Sequence, residues 1–465
     1  MRWENRSAAS FSLSFQPESV STLINERDNA MQRFQNCRLL TCVDETVIID
    51  GVVVIDGELI VWAGPADDVP KKYAGEDVLA TDVGGATVMP GLIDAHMHIS
   101  FGEPHSEEEL YLYTALPYRA IRAAANAEKV LLAGVTSACD PGGPVGVATA
   151  VRDAVDAGLI QGPRLSAAGR QITSQQGIGD TLPRWIDVQE SSFGAIVRSK
   201  DELLNEIRDE VKDGVDLIKI AGSGPGTTEW GAFRLDELEL AVDEAHRLGR
   251  PITMHARSRQ SAADAVTAGM DWIMHASYMD PPTLDLAIAN GIPLLPAMTL
   301  LVNSLECGTM STAAKGGIQR ELDAAVSILS KAFQQGATLI AGSETGFAMT
   351  PYGEWHTREM ELFVSYLGMS DMRAILCMTR DAAIAAPRDS DMVGTLSPGK
   401  YADFLVVDGH PDEDVRILSD RSRLTAIVKG GAEVAAWCPL EEPALRMGFE
   451  KSRPYVGGLY LRSSQ

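Results

Sequence analysis

The chain has 465 residues, 45% hydrophobic and 22% charged, an ordinary globular balance. Lys and Arg total 40 against 64 Asp and Glu; the formal net charge of −24 repels phosphate backbones and argues against nucleic acid as a partner. No apolar run reaches the roughly 18 residues of a membrane span, and the N-terminus, MRWENRSAASFSLSFQPESV, lacks the apolar core of a signal peptide. Residues 1–30 are polar and weakly patterned and read as an N-terminal extension. Residues 31–87 are β-rich, with runs at Arg38–Val43, Val47–Ile55, Leu59–Ala63 and Val78–Val83. Asp56-Gly57 between two such runs signals a hairpin.

A new rhythm spans residues 88–390. Short apolar runs begin at Val88, Gly134, Arg164, Val215, Pro251, Asp271, Ile292 and Ala337. Helical patterns separate them, as at Ala115–Ala133, Asp201–Asp213, Asp236–Leu248 and Gln319–Gln335, and Ser370–Ala386 follows the last run. Eight strands alternating with helices predict a (β/α)8 TIM barrel. Residues 391–440 turn β-rich again, and 441–465 read as a tail. The fold expected is α/β: the barrel plus a small composite β-sandwich domain built from both chain ends. The six cysteines (Cys37, Cys42, Cys139, Cys307, Cys377 and Cys438) form no CxxC pair. That usage fits a reducing, cytoplasmic setting better than a disulfide scaffold or a thiolate zinc site.

Four of the eight histidines end or follow predicted strands. His96 and His98 close the first as HxH, and period two puts both on one face. His255 ends the fifth strand and His275 the sixth. Barrel active sites lie at these C-terminal ends. A lone histidine is more often a satisfied polar residue than a ligand; four at matching positions form a metal-site pattern. Lys219 ends the fourth strand among apolar or small alternate residues, so it points inward. Desolvated, it can lose its proton and add carbon dioxide, giving a carbamate that could bridge two metals. Otherwise it is a surface or ion-paired lysine. Glu344, in LIAGSETGF at the end of the eighth strand, can bind metal or move a proton from water to a leaving group. Its plainer reading is a helix-capping or solvated residue.

With these residues in place, the chain resembles the amidohydrolase superfamily of metal-dependent hydrolases. The carrying motifs are MPGLIDAHMHIS (Met89–Ser100), DLIKI around Lys219, ITMHA at His255, IMHAS at His275 and GTLSPGKYADFLVVDG (Gly394–Gly409). The nearest branch looks like the prolidase-like and imidazolonepropionase-like one, which includes molinate hydrolase and the phenylurea hydrolases. The resemblance covers about residues 36–438. It implies one or two divalent ions (zinc, cobalt or manganese) and hydroxide as nucleophile. The ligands would be His96, His98, Lys219, carboxylated or not, His255, His275 and Glu344. It also implies a homo-oligomer acting on a small molecule.

Two departures stand out. The family usually places Asp where this chain has Glu344, in GSETG. The loop Gln175–Asp180 carries Ile178 where peptide-cleaving relatives often carry His, which weighs against dipeptidase specificity. Trp185, Trp230, Phe233 and Tyr278 are candidates to line the substrate site, Arg184 to polarise a carbonyl or bind an anionic group, and His105 and His356 to sit at the mouth. Each could equally pack locally in a loop. His246 and His410 read as helix and turn residues with no chemical role.

The function expected is hydrolysis of a linear C–N bond in an amide, urea, carbamate or thiocarbamate, including xenobiotics. No GxSxG elbow, P-loop or dinucleotide GxGxxG offers a competing chemistry. The alternatives are an Xaa-Pro-type dipeptidase and a cyclic-amide hydrolase or deaminase. Lys219 weighs against a deaminase, as does the absence of His-x-x-Glu after strand five. A non-catalytic assembly protein is the rival of another class; such relatives typically lose the metal ligands that this chain keeps.

Overall fold

The computed structural model describes residues 31–75, 77–186, 192–224, 230–307 and 311–434. The N-terminal extension, the C-terminal tail and Cys438 lie outside the described residues. Among the described residues, seventeen strands follow in chain order. The first five are β1 (Gln32–Leu40), β2 (Val47–Asp56), β3 (Leu59–Pro65), β4 (Leu79–Asp82) and β5 (Thr87–Pro90). Next come β6 (Leu92–Asp94), β7 (Val135–Asp140), β8 (Arg164–Ala167), β9 (Gln171–Thr173), β10 (Gly194–Ile196), β11 (Ile218–Ala221), β12 (Ile252–Ala256), β13 (Trp272–His275) and β14 (Leu294–Leu295). The last are β15 (Phe404–Val407), β16 (Leu424–Lys429) and β17 (Ala432–Glu433).

The two chain ends share one eight-stranded sheet, in the order β17-β16-β15-β5-β1-β2-β3 with β4 against β1. β2 and β3 form the hairpin foreseen at Asp56-Gly57, where Gly57 takes a left-handed φ of +55°. Alternation along these strands feeds two cores. Val88, Phe404 and Val406 pack with Phe34, Leu39 and Val53 inside the small domain. Met89, Leu405 and Val407 turn the other way, onto the core shared with the barrel. The run at Val88 is thus divided: Thr87–Pro90 pairs with β15 and β1, and the barrel begins at Leu92.

The barrel follows from parallel pairing. β6, β7 and β8 form one sheet, and β11, β12, β13 and β14 another. Asp216 joins them, its N–H donating to Ala167 O at 2.8 Å and its carboxylate accepting from Ala167 N at 2.9 Å. On the far side Leu294 bridges Leu339, and Ala95 N donates to Ala341 O at 3.1 Å, closing the ring. The barrel interior holds Ile93, Cys139, Leu217, Trp272, Leu295 and Ile340. Helices follow the strands, among them Leu116–Leu132, Lys200–Lys212, Leu235–Arg247, Arg259–Ala268 and Thr312–Gln334.

Two details differ from the sequence expectation. β9 and β10 extend the barrel sheet between its third and fourth strands. The seventh and eighth runs give only a two-residue strand and a single bridge. Pro293 and Pro296 flank Leu294–Leu295 and lack the N–H needed to lengthen that ladder. No helix among the described residues is long and apolar enough to cross a membrane.

Candidate metal centre

The HxH pair lies just past β6. A bend at Ala95–His96 changes the strand parity. Ala95 stays in the barrel interior, whereas Met97 and Ile99 join the outer core. His96 and His98 then face each other, ring centroids 5.1 Å apart. Backbone bonds fix this stretch to the eighth strand: Glu344 N donates to His96 O and His98 N to Thr345 O, each at 2.7 Å. The approach is too close for side chains. A Cβ on Gly342 would stand 2.7 Å from His96 Cβ and N, and one on Gly346 would stand 2.7 Å from His98 O.

Lys219 and His255 project inward by simple alternation, since Ile218, Ile220, Met254 and Ala256 face the outer core. His275 does not. Trp272 and Met274 already face the interior, so alternation would send His275 outward. A left-handed φ of +72° re-aims it. Its ring stands 4.5 Å from that of His255 and 5.4 Å from that of His96. Glu344 is also left-handed, at φ +54°, and its Oε1 lies 3.9 Å from His275 Nε2. Such conformations cost roughly 1–3 kcal/mol each and cluster at functional sites.

Buried carboxylates support the cluster. Asp94 accepts from His96 N (3.2 Å), Ser343 N (3.0 Å), Ser343 Oγ (2.5 Å) and His356 Nδ1 (2.7 Å). Asp140 accepts from Ile99 N and Gly142 N, both at 3.0 Å. Gly142 O in turn accepts from His98 Nδ1 at 2.8 Å. A carbonyl can only accept, so His98 carries its proton on Nδ1 and its Nε2 lone pair is open. Tyr352 OH donates to His98 O at 2.5 Å.

Burial dominates the electrostatics. His96, His255 and His275 are held well below the ordinary histidine value, first by desolvation and then by the charges of Lys219 and Arg257. Neutral imidazoles offer lone pairs. Burial also pulls Lys219 down to about 7 and pushes Glu344 up, the latter against the pull of Arg257. Lys219 is fully enclosed, with Nζ against Met274 Sδ. His96 Nδ1, His255 Nε2, His275 Nε2 and Glu344 Oε2 are buried without hydrogen-bond partners. One ligand atom from each of His96, His275 and Glu344 falls within 4.8 Å of the others. Orphaned nitrogen lone pairs around a carboxylate are the donor set that a divalent first-row ion takes.

Residues 87–434 match the Amidohydrolase family. The chain belongs to that family. It is an enzyme acting on C–N bonds. The sequence of this amidohydrolase is 25% identical to an ochratoxinase of Aspergillus niger over 446 residues, 89% of this chain and 90% of that one. The crystal structure of the A. niger ochratoxinase matches with a TM-score of 0.79 at 22% identity, covering 89% of this chain and 98% of that one. An Xaa-Pro dipeptidase with bound methionine gives a TM-score of 0.75 at 24% identity, over 87% of this chain and all of the other. Molinate hydrolase gives 0.73 at 20% identity, over 89% of this chain and 97% of the other. The structural likenesses carry the barrel fold.

The structure of this amidohydrolase gathers His96, His98, Lys219, His255, His275 and Glu344. It places the other candidates differently. Arg184 is exposed and Trp185 is 85% exposed, and neither joins the interactions that hold the histidines. Trp230 is half exposed, its carbonyl accepting from Ser258 Oγ at 3.3 Å. Phe233 packs in the core between barrel and helices. Tyr278 lies near the mouth, its N–H donating to Arg257 O at 3.0 Å. His356 sits in a supporting layer: Nδ1–H donates to Asp94 and Nε2 accepts from Gly353 N at 3.1 Å. His105 is exposed. His246 pairs with Asp271 and His410 with Glu413 at the surface. Sequence reasoning missed Arg257 and Glu321. The only signal was an arginine two residues beyond His255, on the same strand parity.

Proposed function

We propose that this amidohydrolase is a metal-dependent hydrolase of a linear C–N bond in a small molecule: an amide, urea, carbamate or thiocarbamate. The observation that carries the reading is the set of orphaned, buried donor atoms on His96, His255, His275 and Glu344. His98, with its Nε2 lone pair open, completes the histidine set. The residues fit one or two zinc, cobalt or manganese ions. A bound divalent ion supplies a Lewis acid and brings the pKa of coordinated water to about 7.

The chain's own groups do the rest. Asp94 and Asp140 hold the HxH stretch in place through the backbone N–H groups of His96 and Ile99. Lys219, neutral when desolvated, adds carbon dioxide through its Nζ lone pair and releases a proton, becoming an anionic carbamate ligand. The Glu344 carboxylate takes a proton from the attacking water and delivers it to the leaving nitrogen. Burial raises its proton affinity and suits it to hold that proton between the two steps. Likeness to an ochratoxinase, a molinate hydrolase and an Xaa-Pro dipeptidase supports hydrolysis.

Elemental mass spectrometry of the purified protein and of His255→Ala tests the reading. The expected result is about one or two first-row ions per chain, depleted in the variant. A panel of amides, ureas and carbamates should then be hydrolysed, with activity lost to a chelator and restored by metal. Folded protein that takes up no metal on reconstitution would overturn the proposal.

A further inference from the structure

The four histidines of the centre are not held alike. Among the described residues, the rings of His96, His255 and His275 meet only other histidine rings, with centroids 4.5, 5.1 and 5.4 Å apart and planes crossed by 54° or more. His98 has a further neighbour. Its ring lies flat on Phe101, the centroids 4.1 Å apart and the planes 2° from parallel. Phe347, just past Glu344 in the chain, stands nearly upright to the same ring, at 77° and 6.2 Å. Phe101 is itself firmly seated. It is buried, its N–H donates to His98 O at 3.2 Å, and its carbonyl accepts from Arg122 Nη2 at 2.9 Å. Phe193 and Phe347 pack against it at 5.1 and 5.3 Å, in an apolar cluster separate from the main core.

The hydrogen bond from His98 Nδ1–H to Gly142 O, at 2.8 Å, fixes one atom of the ring. Such a bond tolerates roughly 30° of misalignment, and the second side-chain torsion of histidine is a broad one. The bond alone therefore leaves the ring free to tilt. The flat contact removes that freedom, because a tilt would drive one edge of the imidazole into the face of Phe101. The Nε2 lone pair lies in the ring plane, so fixing the plane fixes its direction. The contact also responds to charge. An imidazole that shares its lone pair with a cation becomes electron-poor, and the negative face of a phenyl ring attracts it more strongly.

We infer that Phe101 is a positioning residue. It sets the plane of the His98 imidazole, and with it the direction of the Nε2 lone pair, before any metal binds. The gain in metal affinity rests on the hydrolase reading given above, in which His98 is a ligand; the hold on the ring does not.

Phe101→Leu removes the ring face. Phe193→Leu makes the same change in the same cluster, without touching the stack on His98, and controls for lost packing. Two readouts are compared. In metal-free protein labelled at the histidine nitrogens, NMR reads the Nδ1–H proton of His98, assigned with His98→Asn. It should exchange slowly with water in the wild type and in Phe193→Leu, and be lost to exchange in Phe101→Leu. Competition with a chelator reads the dissociation constant for zinc. It should rise about tenfold in Phe101→Leu and stay unchanged in Phe193→Leu. A protected proton in Phe101→Leu would overturn the inference, as would an unchanged zinc affinity there. Equal losses in the two variants would also overturn it, by placing the effect in packing. Should Phe101→Leu not fold, Phe101→Met fills the volume without a ring face and is held to the same outcomes. A wild-type protein that takes up no zinc, yet loses the protected proton in Phe101→Leu, would sink the hydrolase reading alone.

Discussion

His275 and Glu344 show how much single residues decide. Both spend backbone strain to turn a side chain into the barrel mouth. The HxH pair, Lys219 and His255 are legible in the sequence because alternation alone aims them. His275 was found by its strand-end position, although alternation argues against it. Arg257 was not found, since its partner Glu321 comes from a helix more than sixty residues further along. Glu344→Gln removes the proton acceptor with little change in size. It should lower kcat by about 100-fold or more while the four histidines retain metal. Steady-state kinetics with parallel metal analysis checks this; metal lost along with activity would make Glu344 a ligand before anything else.

Elements were legible where periodicity and caps agree. Ser199 caps Lys200–Lys212 and Ser258 caps Arg259–Ala268, each side chain accepting an N–H of the first turn. The helix Thr299–Glu306 has no such local cap. Glu359, from the later helix Arg358–Leu367, supplies one by accepting from Met298 N and Thr299 N (both 2.9 Å) and from Thr299 Oγ1 (2.7 Å). Burial lifts its carboxyl from 4.5 to about 7, against those hydrogen bonds. A folded value above the unfolded one stabilises the fold fully below 4.5, and that contribution is lost as pH rises through about 7. Glu359→Gln stays neutral and cannot accept at both oxygens. The variant should be less stable at low pH, with the gap to wild type narrowing by up to about 3 kcal/mol as pH rises. Urea unfolding at about pH 4 and about pH 8, either side of the window, reads the gap; a constant gap would show that Glu359 does not titrate there.

At the scale of the molecule, a guanidinium–carboxylate pair ties the composite sheet to the barrel. Arg164, on β8, donates to Asp403 at 2.7 and 3.2 Å, and Gly430 N donates to the same carboxylate at 2.7 Å. Asp403 directly precedes β15. Removing one partner of such a pair leaves a desolvated charge. Asp403→Ala should therefore cost about 3 kcal/mol in unfolding free energy. The double variant Arg164→Met with Asp403→Leu should recover most of that loss; equal losses in both would place the cost in packing. By itself the sequence determined the alternation of strand and helix, the β-rich character of both ends, and the histidines, lysine and glutamate of the centre. These depend on local periodicity and on which residue types can bind a metal. Only the tertiary structure decided where the barrel begins, how its last two strands close it with almost no ladder, and which carboxylates support the histidines. It also decided that Arg257 stands between Glu321 and Glu344. Those outcomes depend on contacts between segments far apart in the chain, which no local pattern encodes.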